Sequence, residues 1–219
     1  GGGSGAAAVR IGVLGGTFDP IHYGHLVAAE EVRDRLGMAT VLFVPTGIPP
    51  HKREVSVSPA EHRVAMVQLA IAGNHAFALS RVDVDRAGPS YTADTLAILQ
   101  SELGPSAKLH FILGLDSLLE VHTWHEPAKL VELAHLVVVT RPHQTVPDLC
   151  SLDGVLPGAR DKVVIMPIPQ LDISASDLRQ RVASGRTIKY QVPEAVEGYI
   201  YERGMYRRDT AQVGTPSAR

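Results

Sequence analysis

The feature that most narrows the possible folds is a short apolar run, cut off by two glycines and followed by a helix. Val9, Ile11, Val13 and Leu14 are closely spaced and mostly β-branched, and Gly15-Gly16 ends them. Such a run reads as a buried strand. Residues 23–36 then place Leu26, Val27, Val32 and Leu36 at helical spacing, and Gly37 supplies the stop. Val41-Leu42-Phe43-Val44 follows and ends at Pro45. Strand, helix and strand with tight connections form a βαβ unit, the building block of a parallel sheet.

The alternation continues along the chain. Ser58-Pro59-Ala60-Glu61 has the form of a capping box with proline at the first helical position, and predicts a helix to about Ala72. Phe77 to Val84 reads as a strand, and Thr92 to Leu103 as a helix closed by Gly104-Pro105. Leu109–Leu113, Leu136–Thr140 and Val163–Met166 read as strands, with helical material over 115–133 and helices near 175–184 and 194–203. The expected fold class is α/β, Rossmann-like and doubly wound, with a mainly parallel sheet and helices on both faces. One domain is expected over 9–206, with 1–8 a linker or cloning scar and 207–219 a disordered tail. The Pro- and Gly-rich stretch 141–162 is expected to be a mobile surface loop. A second loop, 45–57, follows a strand's carboxyl end, where open α/β sheets bind ligands.

Charge and cysteine content remove several functions. Lys plus Arg is 21 and Asp plus Glu is 23, giving a formal net charge of −2. A non-specific nucleic-acid binder is usually basic, so no nucleic-acid partner is expected. Any anion must be caught by a local cluster. The single cysteine, Cys150, allows neither an intrachain disulfide nor a Cys-based zinc site, and fits a reducing cytoplasm. No apolar run reaches the ~18–20 residues that span a bilayer. Residues 1–8 lack the basic and apolar regions of a signal peptide. A cytoplasmic protein without a membrane partner is the expectation; a homo-oligomer is left open.

The chain has no GxxxxGK[ST], GxGxxG, GxSxG, HExxH or CxxC pattern. The informative piece is Gly15-Gly16-Thr17-Phe18-Asp19-Pro20-Ile21-His22-Tyr23-Gly24-His25, between the first strand and the first helix. Two glycines allow close approach of the backbone to a ligand. A helix start directs N–H groups and a positive dipole end at the same place, which suits phosphate. His22 and His25 are three apart and would share a face of the first turn. Gly24 keeps bulk away, and Thr17 offers a hydroxyl. Singly these are a turn and a solvated or metal-binding His pair; at one strand-to-helix junction they read as a polyphosphate pocket. His122 and His125, also three apart, form a second pair open to a metal reading.

The run GGTFDPIHYGH resembles the nucleotidyltransferase superfamily that carries the HxGH signature. Ile173-Ser174-Ala175-Ser176-Asp177-Leu178-Arg179 is similar to that superfamily's second motif, with Ala175 where a second hydroxyl is common. From the residues alone, the serines would cap a helix start and Arg179, a turn on, could hold two phosphate oxygens. Within the superfamily the chain resembles the bacterial nicotinate-nucleotide adenylyltransferases over about 9–206. The likeness rests on PPHK (49–52), EHRVAM (61–66), GPSYTADTL (88–96), GLDSL (114–118), HTW (122–124) and TRP (140–142).

The resemblance implies a reaction of NAD biosynthesis: ATP and nicotinate mononucleotide give nicotinate adenine dinucleotide and pyrophosphate. It assigns His22, His25 and Arg179 to catalysis. Gly15, Gly16, Thr17, Phe18, His22, His25, Gly114, Asp116, Ile173, Ser174, Ser176 and Arg179 would hold ATP. Thr17, His51, Lys52, Tyr91, Thr92, Trp124 and Arg141 would hold nicotinate mononucleotide, with His51, Lys52 and Arg141 on its phosphate and Trp124 stacked on its ring. Mg²⁺ is expected with ATP, held largely by phosphates and water. Nicotinamide mononucleotide and phosphopantetheine are the alternative acceptors, and a non-catalytic nucleotide-binding module is the alternative outside enzymes.

Overall fold

The computed structural model describes residues 5, 7–47, 56–169 and 171–208. His51, Lys52 and most of the 45–57 loop lie outside these, as do 209–219 of the expected tail and most of 1–8. Six strands, β1 (Val9–Gly16), β2 (Thr40–Pro45), β3 (Phe77–Leu79), β4 (Ala107–Gly114), β5 (Ala134–Thr140) and β6 (Val163–Pro167), form one sheet in the order β3-β2-β1-β4-β5-β6. Every pairing is parallel. This is the doubly wound order, in which the chain reverses its direction of travel between β1 and β4.

The helices are α1 (Tyr23–Leu36), α2 (Ala60–Ile71), α3 (Thr92–Leu103), α4 (Leu115–Leu119), α5 (Pro127–Leu133), α6 (Ala159–Lys162), α7 (Ala175–Ala183) and α8 (Glu194–Glu202). Strand alternation divides the apolar residues between two cores. Val13, Phe111, Leu136 and Val138 face α3, α4 and α5, while Leu14, Ile112 and Val137 face α1, α2, α7 and α8. Both faces of the sheet are covered, as the near-continuous apolar strands require.

Three local expectations change. Ser58 does not cap α2: Pro59 takes that position and no side chain caps it. The Ser58 N–H donates instead to Asp19 Oδ2 at 2.9 Å, and its carbonyl accepts from Arg63 Nε at 2.9 Å. β3 ends at Leu79 rather than Val84. Beyond it the chain turns, with Asp85 N–H on the Arg81 carbonyl, which carries Asp83 inward to accept from Thr95 Oγ1 at 2.6 Å. The 141–162 stretch is structured where a loop was expected. It contains a 3-10 turn over Leu149–Leu152 and α6, and it buries Leu156 and Ala159 completely in the core.

Candidate active site

β1 and β4 end side by side, and two cavities open beyond them, one on each side. The first has a volume of about 400 Å³ and is lined by Gly15, Gly16, Thr46, Tyr91, Thr92, Trp124 and His125, among others. The second, about 360 Å³, is lined by His22, Gly24, His25, Asp116, Arg141 and Ile173, among others. Leu14, Ile112, Leu113, Gly114 and Ser117 contribute to both walls. A smaller space of about 200 Å³ joins Thr17, Phe18, Asp19, His25 and Arg179.

His22 is the N-cap of α1 and has extended backbone, so it precedes the first helical turn instead of lying on it. Its Nδ1 accepts from the Gly24 N–H at 3.0 Å, and His25 Nδ1 accepts from the His22 N–H at 3.1 Å. This is a capping box built from two imidazoles. A neutral imidazole that accepts at Nδ1 carries its proton on Nε2. Both rings are therefore fixed as Nε2–H donors. Burial, and then the Arg141 guanidinium, hold the His22 ring down at about 4. Burial, then His22, hold His25 well below its ordinary value. Both rings are neutral donors near pH 7.

The expected amide cradle at the start of α1 is not free. Tyr23 N–H donates to the Gln191 carbonyl, Gly24 N–H to His22 and His25 N–H to the His22 carbonyl. The helix start meets the second cavity through the imidazoles, which take up two main-chain N–H groups at Nδ1 and leave Nε2–H free of the backbone. Gly24 is required for this geometry, because a Cβ there would lie 2.8 Å from two atoms of the His22 ring. Phe18, fully buried with a positive φ of 51°, supports the His25 ring edge-on at 5.0 Å between centroids.

Arg179 reaches across from α7 and donates to the Asp19 carbonyl at 2.8 Å, which brings the two sequence motifs together. Ser174 caps α7 by accepting from the Asp177 N–H at 3.1 Å; Ser174 and Ser176 are both exposed. Gly114 and Asp116 sit at the start of α4 on the wall of the second cavity. Arg141, expected at the mononucleotide phosphate, lies on the wall of the second cavity with His22 and pairs with Asp172 at 3.1 Å. The reason is topological: it follows β5, on the far side of β4 from β2.

In the first cavity, Tyr91 is the N-cap of α3 with no side chain capping the helix, so that helix start opens into the cavity with Thr92. Tyr91 stacks on His125 with centroids 4.4 Å apart. Trp124 is half-buried and meets Phe111 edge-on at 6.2 Å. Among the described residues, no group of three or more His, Cys, Asp or Glu side chains that could hold a metal ion occurs at His122 and His125 or elsewhere.

Arg63 is the support of the site that the sequence did not reveal. Only 2% exposed, it donates to the carbonyls of Ser58 (2.9 Å), Thr17 (3.0 Å), Thr46 (2.7 Å) and Gly47 (3.4 Å). One side chain thus ties the turn after β1 to the chain after β2. Gly47 also packs against the 83–90 segment, where a Cβ would lie 2.6 Å from the Asp83 carbonyl oxygen. The available signal was a cation at the i−3 and i−4 positions to Met66 and Val67, inside an apolar stripe.

The cytidylyltransferase-like family matches residues 13–181. A protein of Thermomicrobium roseum named "Probable nicotinate-nucleotide adenylyltransferase" is 50% identical over 210 residues, 96% of this chain and 97% of its own. Relatives of the same name from Saccharopolyspora erythraea and Moorella thermoacetica are 49% and 46% identical over 94% and 90% of this chain, covering 93% and 92% of their own. The chain belongs to the nicotinate-nucleotide adenylyltransferase family. A solved structure of the Plasmodium falciparum nicotinic acid mononucleotide adenylyltransferase shares the fold, with a TM-score of 0.74 at 23% identity over 90% of this chain and 97% of its own. In this family member, both expected motifs meet at the reversal point of the sheet.

Proposed function

We propose that the protein transfers the adenylyl group of ATP to nicotinate mononucleotide, giving nicotinate adenine dinucleotide and pyrophosphate. The observation that carries this reading is the pair of cavities sharing one wall at Leu14, Leu113 and Gly114. One offers paired imidazole donors and an arginine. The other offers an open helix start with aromatic walls.

The chemistry fits this division. A phosphate monoester has a second pKa of ~6 and is largely dianionic near pH 7. Its oxygen attacks the α-phosphorus in line; a new P–O bond forms as the bond to the β-phosphate oxygen breaks, and pyrophosphate departs with the electron pair. No protein nucleophile or general base is needed, so the work is alignment and charge stabilisation. His22 and His25 donate from Nε2 to phosphate oxygens. Because both rings are already neutral, they give hydrogen bonds without the desolvation cost of a buried cation. Arg179 supplies positive charge from α7, and Arg141 from the chain after β5. Gly114 and Asp116 hold the nucleoside, the carboxylate accepting from ribose hydroxyls. Ser174 and Ser176 assist from the α7 start.

Tyr91, Thr92 and Trp124 hold the acceptor's ring and carboxylate, where the α3 start favours an anion over an amide. His51 and Lys52 remain the proposed grip on its phosphate. The donor set of imidazole, guanidinium and hydroxyl fits a Mg²⁺ that arrives bound to ATP phosphate and water. When bound, that ion supplies further charge neutralisation. A single catalytic domain over 9–206 and a cytoplasmic location belong to the same proposal. No described helix is long and apolar enough to cross a membrane.

Pyrophosphate release with ATP and each acceptor tests the proposal. Nicotinate mononucleotide should be preferred over nicotinamide mononucleotide, and phosphopantetheine should be inert. Equal use of acid and amide would overturn the acceptor assignment. No turnover with any acceptor would overturn the enzyme reading.

A further inference from the structure

Asp19 is 4% exposed and sits in the turn between the two glycines and His22. All of its polar groups that face other elements are engaged. Its Oδ2 accepts from the Ser58 N–H at 2.9 Å, its main-chain carbonyl accepts from Arg179 Nη1 at 2.8 Å, and its Oδ1 accepts from the hydroxyl of Tyr206. Tyr206 follows α8, 187 residues along the chain, and adopts a left-handed φ of 62°. Met205 N–H on the Ile200 carbonyl closes the end of that helix and sets the turn that brings Tyr206 inward. A buried phenol directed at a buried carboxylate is a specific and costly arrangement, since either group left alone would be unsatisfied.

We infer that Tyr206 is a positioning residue for the phosphate-binding side of the site, acting through Asp19 on Arg179. Asp19 is the shared support: its carboxylate is held by the end of the chain, and its carbonyl holds the guanidinium proposed to contact phosphate. Loss of the phenol hydroxyl leaves a carboxylate oxygen unpaired in a buried turn. The turn relaxes toward water, and the Arg179 guanidinium loses its registered acceptor. Asp19 and Arg179 line the small third space together with His25, and the first cavity is lined by none of these three and is unaffected. The effect therefore falls on ATP rather than on the acceptor. This inference rests on the reaction proposed above.

The test is Tyr206→Phe, which removes one oxygen and keeps the ring packed. Steady-state kinetics should show kcat/KM for ATP reduced about tenfold or more, the cost expected on losing a hydrogen bond to a charged group. KM for nicotinate mononucleotide should stay within about twofold. Combining Tyr206→Phe with Arg179→Gln should add little to the loss from Arg179→Gln alone, because both act on one contact. Wild-type turnover in the same assay separates this inference from the reading beneath it. Normal wild-type activity with unchanged Tyr206→Phe kinetics would overturn the positioning role alone. Equal losses for both substrates, or fully additive losses in the double variant, would make Tyr206 a general stabiliser and overturn it too. If Tyr206→Phe melts below the assay temperature, Asp19→Asn, which leaves one acceptor oxygen where the Ser58 N–H and the Tyr206 hydroxyl both donate, should show the same ATP-selective loss. An Asp19→Asn variant with wild-type ATP kinetics would then overturn the inference.

Discussion

The rings of His22 and His25 lie 3.8 Å apart between centroids, and His25 accepts the main-chain N–H of His22. Each ring spends Nδ1 on the backbone and has Nε2–H left for a ligand. Helix cap and proposed catalytic donor are thus one group, and the two duties can be separated by substitution.

His25→Gln keeps an acceptor at the third helical position, where glutamine completes capping boxes. It does not restore the ring N–H. Turnover should fall ~10²-fold or more, as for loss of one transition-state donor, while the melting temperature stays close to wild type. His25→Ala should lose the same activity and additionally ~1 kcal/mol of stability from the broken cap. Thermal melts beside pyrophosphate-release rates check both.

Stability should fall as pH drops below ~6.5. His22 titrates at about 4 in the folded chain and near ~6.5 when unfolded. Between these values the unfolded chain binds a proton that the native one refuses, so unfolding gains on acidification. The contribution is complete above the unfolded value and is lost toward the folded one, at up to ~1.4 kcal/mol per pH unit for one ring. Buried His25 and His110 act in the same direction. Urea midpoints at pH 7.5 and 5 should therefore differ less in His22→Asn than in wild type.

Gly24→Ala sets helix propensity against the site. Alanine in a helix is favoured over glycine by ~1 kcal/mol, but the added Cβ would lie 2.8 Å from the His22 ring. The ring must move, and its cap and its aim move with it. Activity should drop more than ~10-fold, with no gain in melting temperature. A more stable and fully active variant would contradict the geometry.

Arg63→Met keeps much of the volume and leaves the carbonyls of Ser58, Thr17, Thr46 and Gly47 without their donor. We expect a loss of ~3 kcal/mol or more, since several buried acceptors are orphaned together. Denaturant unfolding measures it directly. Arg63→Lys should recover only part, because an ammonium cannot reproduce the planar fork.

Trp124 is the only tryptophan of the chain and lies on the wall of the first cavity. Its emission should respond saturably to nicotinate mononucleotide and stay nearly constant with a non-hydrolysable ATP analogue. A response to the ATP analogue alone would move the acceptor out of that cavity.

Much of the fold was legible because local signals agreed with one another. Glycine stops, apolar runs and helical spacing placed five of the six strands within two or three residues. β3 is shorter than its apolar pattern because Asp83 is drawn in to Thr95 after a turn. The 141–162 stretch misled through its prolines and glycines, although Leu156 and Ala159 anchor it. At the site, the histidine motif and Arg179 were readable as short patterns. Arg63, Asp19 and Tyr206 act through contacts 46, 39 and 187 residues apart, which no window along the chain reveals. The capping role of His22 was hidden for a different reason: imidazole is an unusual cap, and serine at position 58 offered a more familiar one that the chain does not use.

The partition formed by Leu14, Leu113 and Gly114 has a kinetic corollary. On the proposed assignment, triphosphate and mononucleotide would each occupy a single chamber and leave through its own mouth. The joined dinucleotide would straddle the partition, gripped at both ends, and escape only when both grips slacken together. Departure of the dinucleotide, rather than bond making, is then expected to set the tempo of the cycle, which a pre-steady-state burst of pyrophosphate would reveal.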